Sequence, residues 1–138
     1  MALILDANVL FAALNRNERT HESCRTLLES TSETLTVPSP VLVEVDYWIR
    51  KWLGRTVEAA FLGDLESGAF EVVDLAAEDY RRVREICARY HDSDIGFVDA
   101  AVLGIVERLN EPKLATLDHR HFRMMRPRHV ETLTLLPE

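Results

Sequence analysis

Short apolar runs alternate with longer amphipathic ones along this chain, and that alternation restricts it to an α/β fold built on a parallel sheet. Five runs read as strands: Ala2–Leu5, Thr34–Val37, Phe70–Asp74, Lys113–Leu117 and Glu131–Leu135. They are rich in Leu, Val, Ile and Thr and too short for helices. Helical patterns lie between them. His21–Leu28 brings Cys24, Leu27 and Leu28 onto one side. Ser39-Pro40 reads as N-cap and first helical residue, and Val41, Leu42, Val45, Trp48, Ile49, Trp52 and Leu53 then repeat at three and four until Gly54. Arg55–Leu65 follows, and Ala76–Tyr90 is expected to bury Tyr80, Val83, Ile86, Cys87 and Tyr90. A last long helix, capped by Asp94, carries Val98, Ala101, Val102, Ile105, Val106 and Leu109 on one stripe. At 138 residues the chain is expected to form one domain over residues 1–138.

The charge is acidic overall but unevenly spread. Net charge is −7, and the stretch His119–His129 (HRHFRMMRPRH) holds four arginines, three histidines and no acid. Setting aside those arginines, Glu131 and Glu138 leaves −9 on residues 1–118. That balance excludes a general nucleic-acid coat and leaves two readings of the basic stretch, a local guide for a polyanion or a solvated loop. No apolar run reaches the ~18 residues that cross a bilayer, and MALILDANVL has no basic n-region. A cytoplasmic protein without membrane attachment is expected, with Cys24 and Cys87 as free thiols.

Most acids fall on polar helix faces; four do not. Asp6 and Asp118 each end an apolar strand run, and in open parallel sheets ligands bind outside the carboxyl ends of the strands. An Asx-turn or N-cap role accounts for either one alone. Glu44 and Asp99 occur early in their helices, about 110° and about 90° from the centres of the apolar stripes, which aims them along the body towards the same rim. Favourable placement near a helix N-terminus is the competing account. Converging carboxylates repel unless a cation joins them, and an all-oxygen set suits Mg²⁺ or Mn²⁺ better than zinc.

The segments LDANVL, PSPVLVEVDYWI, DIGFVDAAVLGIVERL and ATLDHRHF together resemble the four signature blocks of PIN-domain ribonucleases, and more closely the toxin halves of bacterial VapBC toxin–antitoxin pairs. The blocks keep the family's order from Asp6 to Phe122, and the family's acidic quartet maps onto Asp6, Glu44, Asp99 and Asp118. The resemblance implies a three-layer α/β/α domain with a central, mostly parallel sheet of about five short strands. It implies Mg²⁺- or Mn²⁺-dependent endonucleolytic cleavage of RNA, of the tRNA or rRNA class, by a metal-activated water that leaves 5′-phosphate and 3′-hydroxyl ends. It also implies a homodimer and a cognate VapB-type antitoxin covering the acidic groove. Asp6, Asp99 and Asp118 would hold the metal and its waters, with Glu44 and Asp94 secondary. Thr116 matches a hydroxyl position expected to hydrogen-bond a carboxylate or a metal water, and Asn8 a polar position expected mainly to cap the helix after it. The phosphate-binding candidates are Arg120, Arg123, Arg126 and Arg128, followed by Arg50, Lys51 and Arg55.

Two other functional readings stay open. His119 and His121 could cleave RNA without metal, using the 2′-hydroxyl as nucleophile and leaving cyclic phosphates. Alternatively, the chain could be a non-enzymatic partner-binding module.

Overall fold

The computed structural model describes residues Met1–Glu138. In chain order the elements are β1 (Ala2–Ile4), α1 (Ala7–Leu14), α2 (His21–Ser30), β2 (Thr34–Pro38), α3 (Ser39–Trp52), α4 (Arg55–Ser67), β3 (Glu71–Val73), α5 (Ala77–Arg89), α6 (Phe97–Arg108), β4 (Lys113–Ala115), α7 (His119–Met124) and β5 (Thr134–Leu136). All pairings are parallel: β1 lies beside β2, β2 beside β3, and β4 beside β5. A parallel bridge from Leu5 to Ala115 joins the two groups, so the strands run in the order β3-β2-β1-β4-β5.

That order places the ligand-binding rim. The chain moves outward from β1 to β3 through α1–α4, then returns across the sheet through α5 and α6 to start β4 on the other side of β1. Right-handed crossovers put these two groups of helices on opposite faces, giving three layers. The connections leaving β1 and β4 therefore diverge, opening a crevice at the carboxyl ends of these two strands. Asp6 follows β1 and Asp118 follows β4. The helix α3 starts directly after β2, and α6 must end near the start of β4, so the N-terminal turns of both face the same rim.

The core is continuous through the sheet. Leu3, Ile4, Leu5, Val37, Leu114 and Ala115 are buried in the strands, and Val41, Val45 and Ile49 form the inner stripe of α3. Residues Ala100 to Val106 of α6 are buried all round, as expected for a helix enclosed by its neighbours. Gly68 closes α4 in the left-handed region at φ 83°, where a side chain would be strained.

An ion pair between buried Asp79 and exposed Arg108 joins α5 to α6. The Asp79 carboxylate accepts from Arg108 Nε at 2.9 Å and from the Ala76 N–H at 2.8 Å, which ties down the start of α5. Asp79→Ala is expected to cost about 2 kcal/mol, chiefly because the N–H at the start of α5 loses its acceptor, while exposed Arg108 is resolvated. Urea unfolding measures this; an unchanged midpoint would show that water replaces the carboxylate at no cost.

Several sequence expectations need correction. Pro38, which ends β2 at φ −60°, is the N-cap of α3, and Ser39 and Pro40 are already helical. Asp94 does not cap α6, which starts at Phe97 after Gly96. The third strand is trimmed to Glu71–Val73, and the last is displaced to Thr134–Leu136, where pairing with β4 sets its register. Tyr80 is 55% exposed, since Asp79, Val83 and Ile86 form the face of α5 turned inward. Trp52 is 65% exposed at the end of α3. The basic stretch is not simply a loop: its first six residues are α7. Cys24 and Cys87 are free thiols, Cys24 buried and Cys87 half-buried.

Candidate metal centre

Asp6 leaves β1 and caps α1. One carboxylate oxygen accepts from the Ala7 N–H at 2.9 Å, and the other from the Thr116 hydroxyl at 2.8 Å. Thr116 is fully buried on the strand side of Asp118, and the hydroxyl also accepts from the Asp118 N–H at 3.0 Å. Strand alternation makes this contact possible, because Thr116 and Asp118 are two residues apart. Asn8 does not cap α1. Its Oδ1 accepts from the Leu117 N–H at 2.9 Å, joining the start of α1 to the turn after β4. A polar side chain one turn into a helix can reach outward as readily as back to its own backbone, and here the adjacent strand end lies within reach.

Asp118 caps α7 through a 3.1 Å bond from the His121 N–H. The His121 ring then folds back over the cap. Its Nδ1 lies 2.9 Å from Asp99 Oδ2 and 2.8 Å from Asp118 Oδ2, between the two acids. These three side chains offer ligand atoms within 4.8 Å of one another. His119 turns elsewhere, with Nε2 3.1 Å from the Thr116 carbonyl.

The electrostatics tie the remaining acids to this centre. Asp6 is only 3% exposed, and burial pushes its pKa up to about 7; the hydrogen bonds from Thr116 and Ala7 resist that rise, while charge on Asp99 and Glu44 adds to it. Burial also raises Asp99; the His121 hydrogen bond opposes this, and Asp118 and Asp94 reinforce it. Burial raises Glu44, with Asp99 adding to the effect. Asp6, Glu44, Asp94 and Asp118 are thus each within electrostatic reach of Asp99, the hub of the cluster. No Lys or Arg pairs with any of them, and His121 is the one basic side chain bonded in the cluster.

An all-carboxylate set around a buried acid that is costly to ionise fits a hard divalent cation, which would supply the missing positive charge. Asp99, Asp118 and the rim side of Asp6 have suitable donors. The Nδ1 of His121 now lies between two of them.

The four candidate arginines do not form one patch. Arg120 and Arg123 are exposed on α7, the helix that carries His121, and Arg126 is exposed just beyond it. Arg128 is tied to Glu85, and its N–H donates to Glu107, which also holds Arg82 at 2.8 Å. The role of His121 as a bridge between carboxylates was not read from the sequence. The signal was there: His121 is three residues after Asp118, the spacing that brings an N-cap and the first helical turn together.

A family model described as "PIN domain" matches residues 3–126. Ribonuclease VapC26 of Mycobacterium tuberculosis is 30% identical over 135 residues, covering 98% of this chain and 100% of that protein. Among solved structures, the Sarcin-Ricin loop cleaving toxin VapC20 of Mycobacterium tuberculosis superposes with a TM-score of 0.74 at 18% identity, over 81% of this chain and 86% of that one. A chain of VapBC2 from Rickettsia felis, solved bound to a DNA fragment from their promoter, gives a TM-score of 0.72 at 20% identity over 98% of each chain.

Proposed function

The chain belongs to the PIN-domain family, and from that premise we propose that it is a VapC-type toxin, a Mg²⁺- or Mn²⁺-dependent endoribonuclease. The observation that carries this reading is the convergence of Asp6, Glu44, Asp99 and Asp118 at the crevice between β1 and β4, with a buried carboxyl and no Lys or Arg among them. The full-length match to a ribonuclease supports the choice of RNA as substrate.

Asp6, Asp99 and Asp118 would hold the cation, with Glu44 and Asp94 beside them. When bound, it supplies charge stabilisation at the phosphoryl oxygens and a more acidic water. The protein's own groups do the rest. Thr116 fixes Asp6 through its hydroxyl, and Asn8 keeps the turn after β4 against α1. Glu44, raised by burial, is a proton acceptor nearer neutrality than an exposed glutamate and would take the proton of the attacking water. The water oxygen forms a bond to phosphorus, the bond from phosphorus to the 3′ oxygen breaks, and that oxygen takes a proton from solvent, so that 5′-phosphate and 3′-hydroxyl ends result. Arg120 and Arg123 are the phosphate contacts we favour, since they share α7 with His121. A small antitoxin covering the acidic crevice, a homodimer and a cytoplasmic setting complete the reading; the fold is that of chains solved in VapBC complexes. No helix is long and apolar enough to cross a membrane.

Incubating the purified chain with total RNA, with and without Mn²⁺, and mapping the new 5′ ends tests the proposal. Mn²⁺-dependent cuts bearing 5′-phosphates are expected. His121→Ala separates this from metal-independent histidine chemistry. As a positioning residue, His121 should shift the Mn²⁺ concentration for half-maximal activity by roughly 10- to 100-fold and leave cleavage largely intact at saturation. Cuts that survive EDTA, end in cyclic phosphates and vanish in His121→Ala would replace the metal mechanism.

A further inference from the structure

A pocket of about 270 Å³ opens beside the carboxylate rim, lined by Asn8, Phe11, Glu18, Trp48, Trp52 and Leu117. Two of its lining residues neighbour the candidate site along the chain. Asn8 and Leu117, which share the 2.9 Å hydrogen bond, are each next to a member of the acidic cluster along the chain, Asn8 two residues after Asp6 and Leu117 one before Asp118. Trp48 and Trp52 follow Glu44 at steps of four, so they project from the same side of α3 about 6 and about 12 Å further along its axis.

The aromatic groups are arranged for stacking. Phe11 meets Trp48 edge to face with centroids 5.7 Å apart, which holds that indole in place. Trp52 is exposed, and the Lys51 ammonium lies 5.2 Å from its ring centroid and 5.7 Å from that of Tyr47. With Lys51 over one face, the exposed indole offers a phosphate contact next to a base-stacking surface, the combination used for single-stranded nucleic acid. Exposed Arg16 and Arg19 flank Glu18 in the loop between α1 and α2. Phe11, Trp48 and Trp52 give the wall flat aromatic surface, and Asn8 and Glu18 are its two polar groups, a combination that suits a nucleobase better than an aliphatic side chain.

Glu18 sets the choice of base. An ionised carboxylate only accepts hydrogen bonds. Guanine alone presents two adjacent donors, N1–H and N2–H, on its Watson–Crick edge; adenine, cytosine and uracil each present a single donor group there, next to acceptors. We propose that this pocket seats a guanine of single-stranded RNA beside the scissile phosphate, stacked on Trp52 and Trp48 and read by Glu18. The assignment rests on the ribonuclease reading above for the phosphate's position, but binding is measured separately from cleavage.

The chain's two tryptophans both line this pocket, so intrinsic fluorescence reports on it alone. In EDTA, where metal-dependent cutting is silent, a single-stranded RNA decamer of uridine with one central guanosine should quench the emission saturably. It should bind roughly five-fold or more tighter than the all-uridine decamer. Trp52→Ala should weaken binding by roughly 5- to 100-fold, Trp52→Phe should retain most of it, and Glu18→Gln should bring the two decamers together. With Mn²⁺ and a cleavable RNA, Trp52→Ala should raise KM more than it lowers kcat. If the wild type cuts RNA but no decamer moves its emission and Trp52→Ala leaves KM unchanged, the pocket assignment falls while the ribonuclease reading stands. Saturable, guanine-dependent quenching without any cleavage would uphold the pocket and remove the ribonuclease reading. Emission that responds to a co-expressed partner protein and to no RNA would make the pocket a protein-docking seat and overturn the assignment.

Discussion

Asp99→Asn should lower Mn²⁺-dependent RNA cleavage by roughly a thousand-fold while the protein stays folded. Asp99 is the hub of the acidic cluster: its charge acts on Asp6 and Glu44, and Asp118 and Asp94 act on it. The substitution removes a charge from the cation's donor set and leaves an amide that can still meet His121. A metal's electrostatic contribution of several kcal/mol corresponds to about a thousand-fold in rate. Burial raises the Asp99 carboxyl, so the neutral amide should hold or increase stability in the absence of metal. Circular dichroism and a cleavage assay across Mn²⁺ concentrations measure both effects. An Asp99→Asn protein that cuts at the wild-type rate with the wild-type metal response would take Asp99 out of the centre.

The second large effect is a pH-dependent stability in EDTA. Asp6 has a pKa of about 7 in the folded chain against an ordinary value of 3.8, so between those values the native state binds more protons than the unfolded state. Stability from this group is therefore full below about pH 4 and is lost as pH rises through about 7. The total is about 4 kcal/mol, or roughly 10 °C in melting temperature, and the raised Glu44 and Asp99 act in the same direction. Melting curves in EDTA from pH 5 to pH 8 should fall for the wild type and stay flatter for Asp6→Asn, which becomes the more stable protein at pH 8. Mn²⁺ should restore the wild type, and more at pH 8 than at pH 5, because cation and proton compete for the same carboxylates. Identical pH profiles for wild type and Asp6→Asn would show that Asp6 ionises like an exposed acid.

The legible parts of this fold were those written in local pattern. The first, second and fourth strand runs and the inner stripe of α3 stand in the structure near their expected places, because each is set by residues within a turn or two of one another. Glu44 and Asp99 could be singled out because a helix wheel gives direction as well as burial. Less was visible where a residue's partner is remote. Asn8 read as a cap because its bond to Leu117 spans 109 positions. Trp52 read as core because periodicity cannot say that no element covers the end of α3. His121 read as an acid–base candidate paired with His119, since Asp99 lies 22 positions before it.

The amino-acid order by itself determined the alternation of strands and helices, the acids that end β1 and β4, and the concentration of positive charge around α7. These follow from propensity and periodicity, which act over a few residues. Only the tertiary structure decided that β4 lies beside β1 and not beyond β3. That single adjacency splits the connections, opens the crevice, and brings the Thr116 hydroxyl to the Asp6 carboxylate across 110 positions. Strand order is a contest among distant pairings for the same buried surface, and its outcome depends on how whole faces pack, which no short stretch of chain encodes.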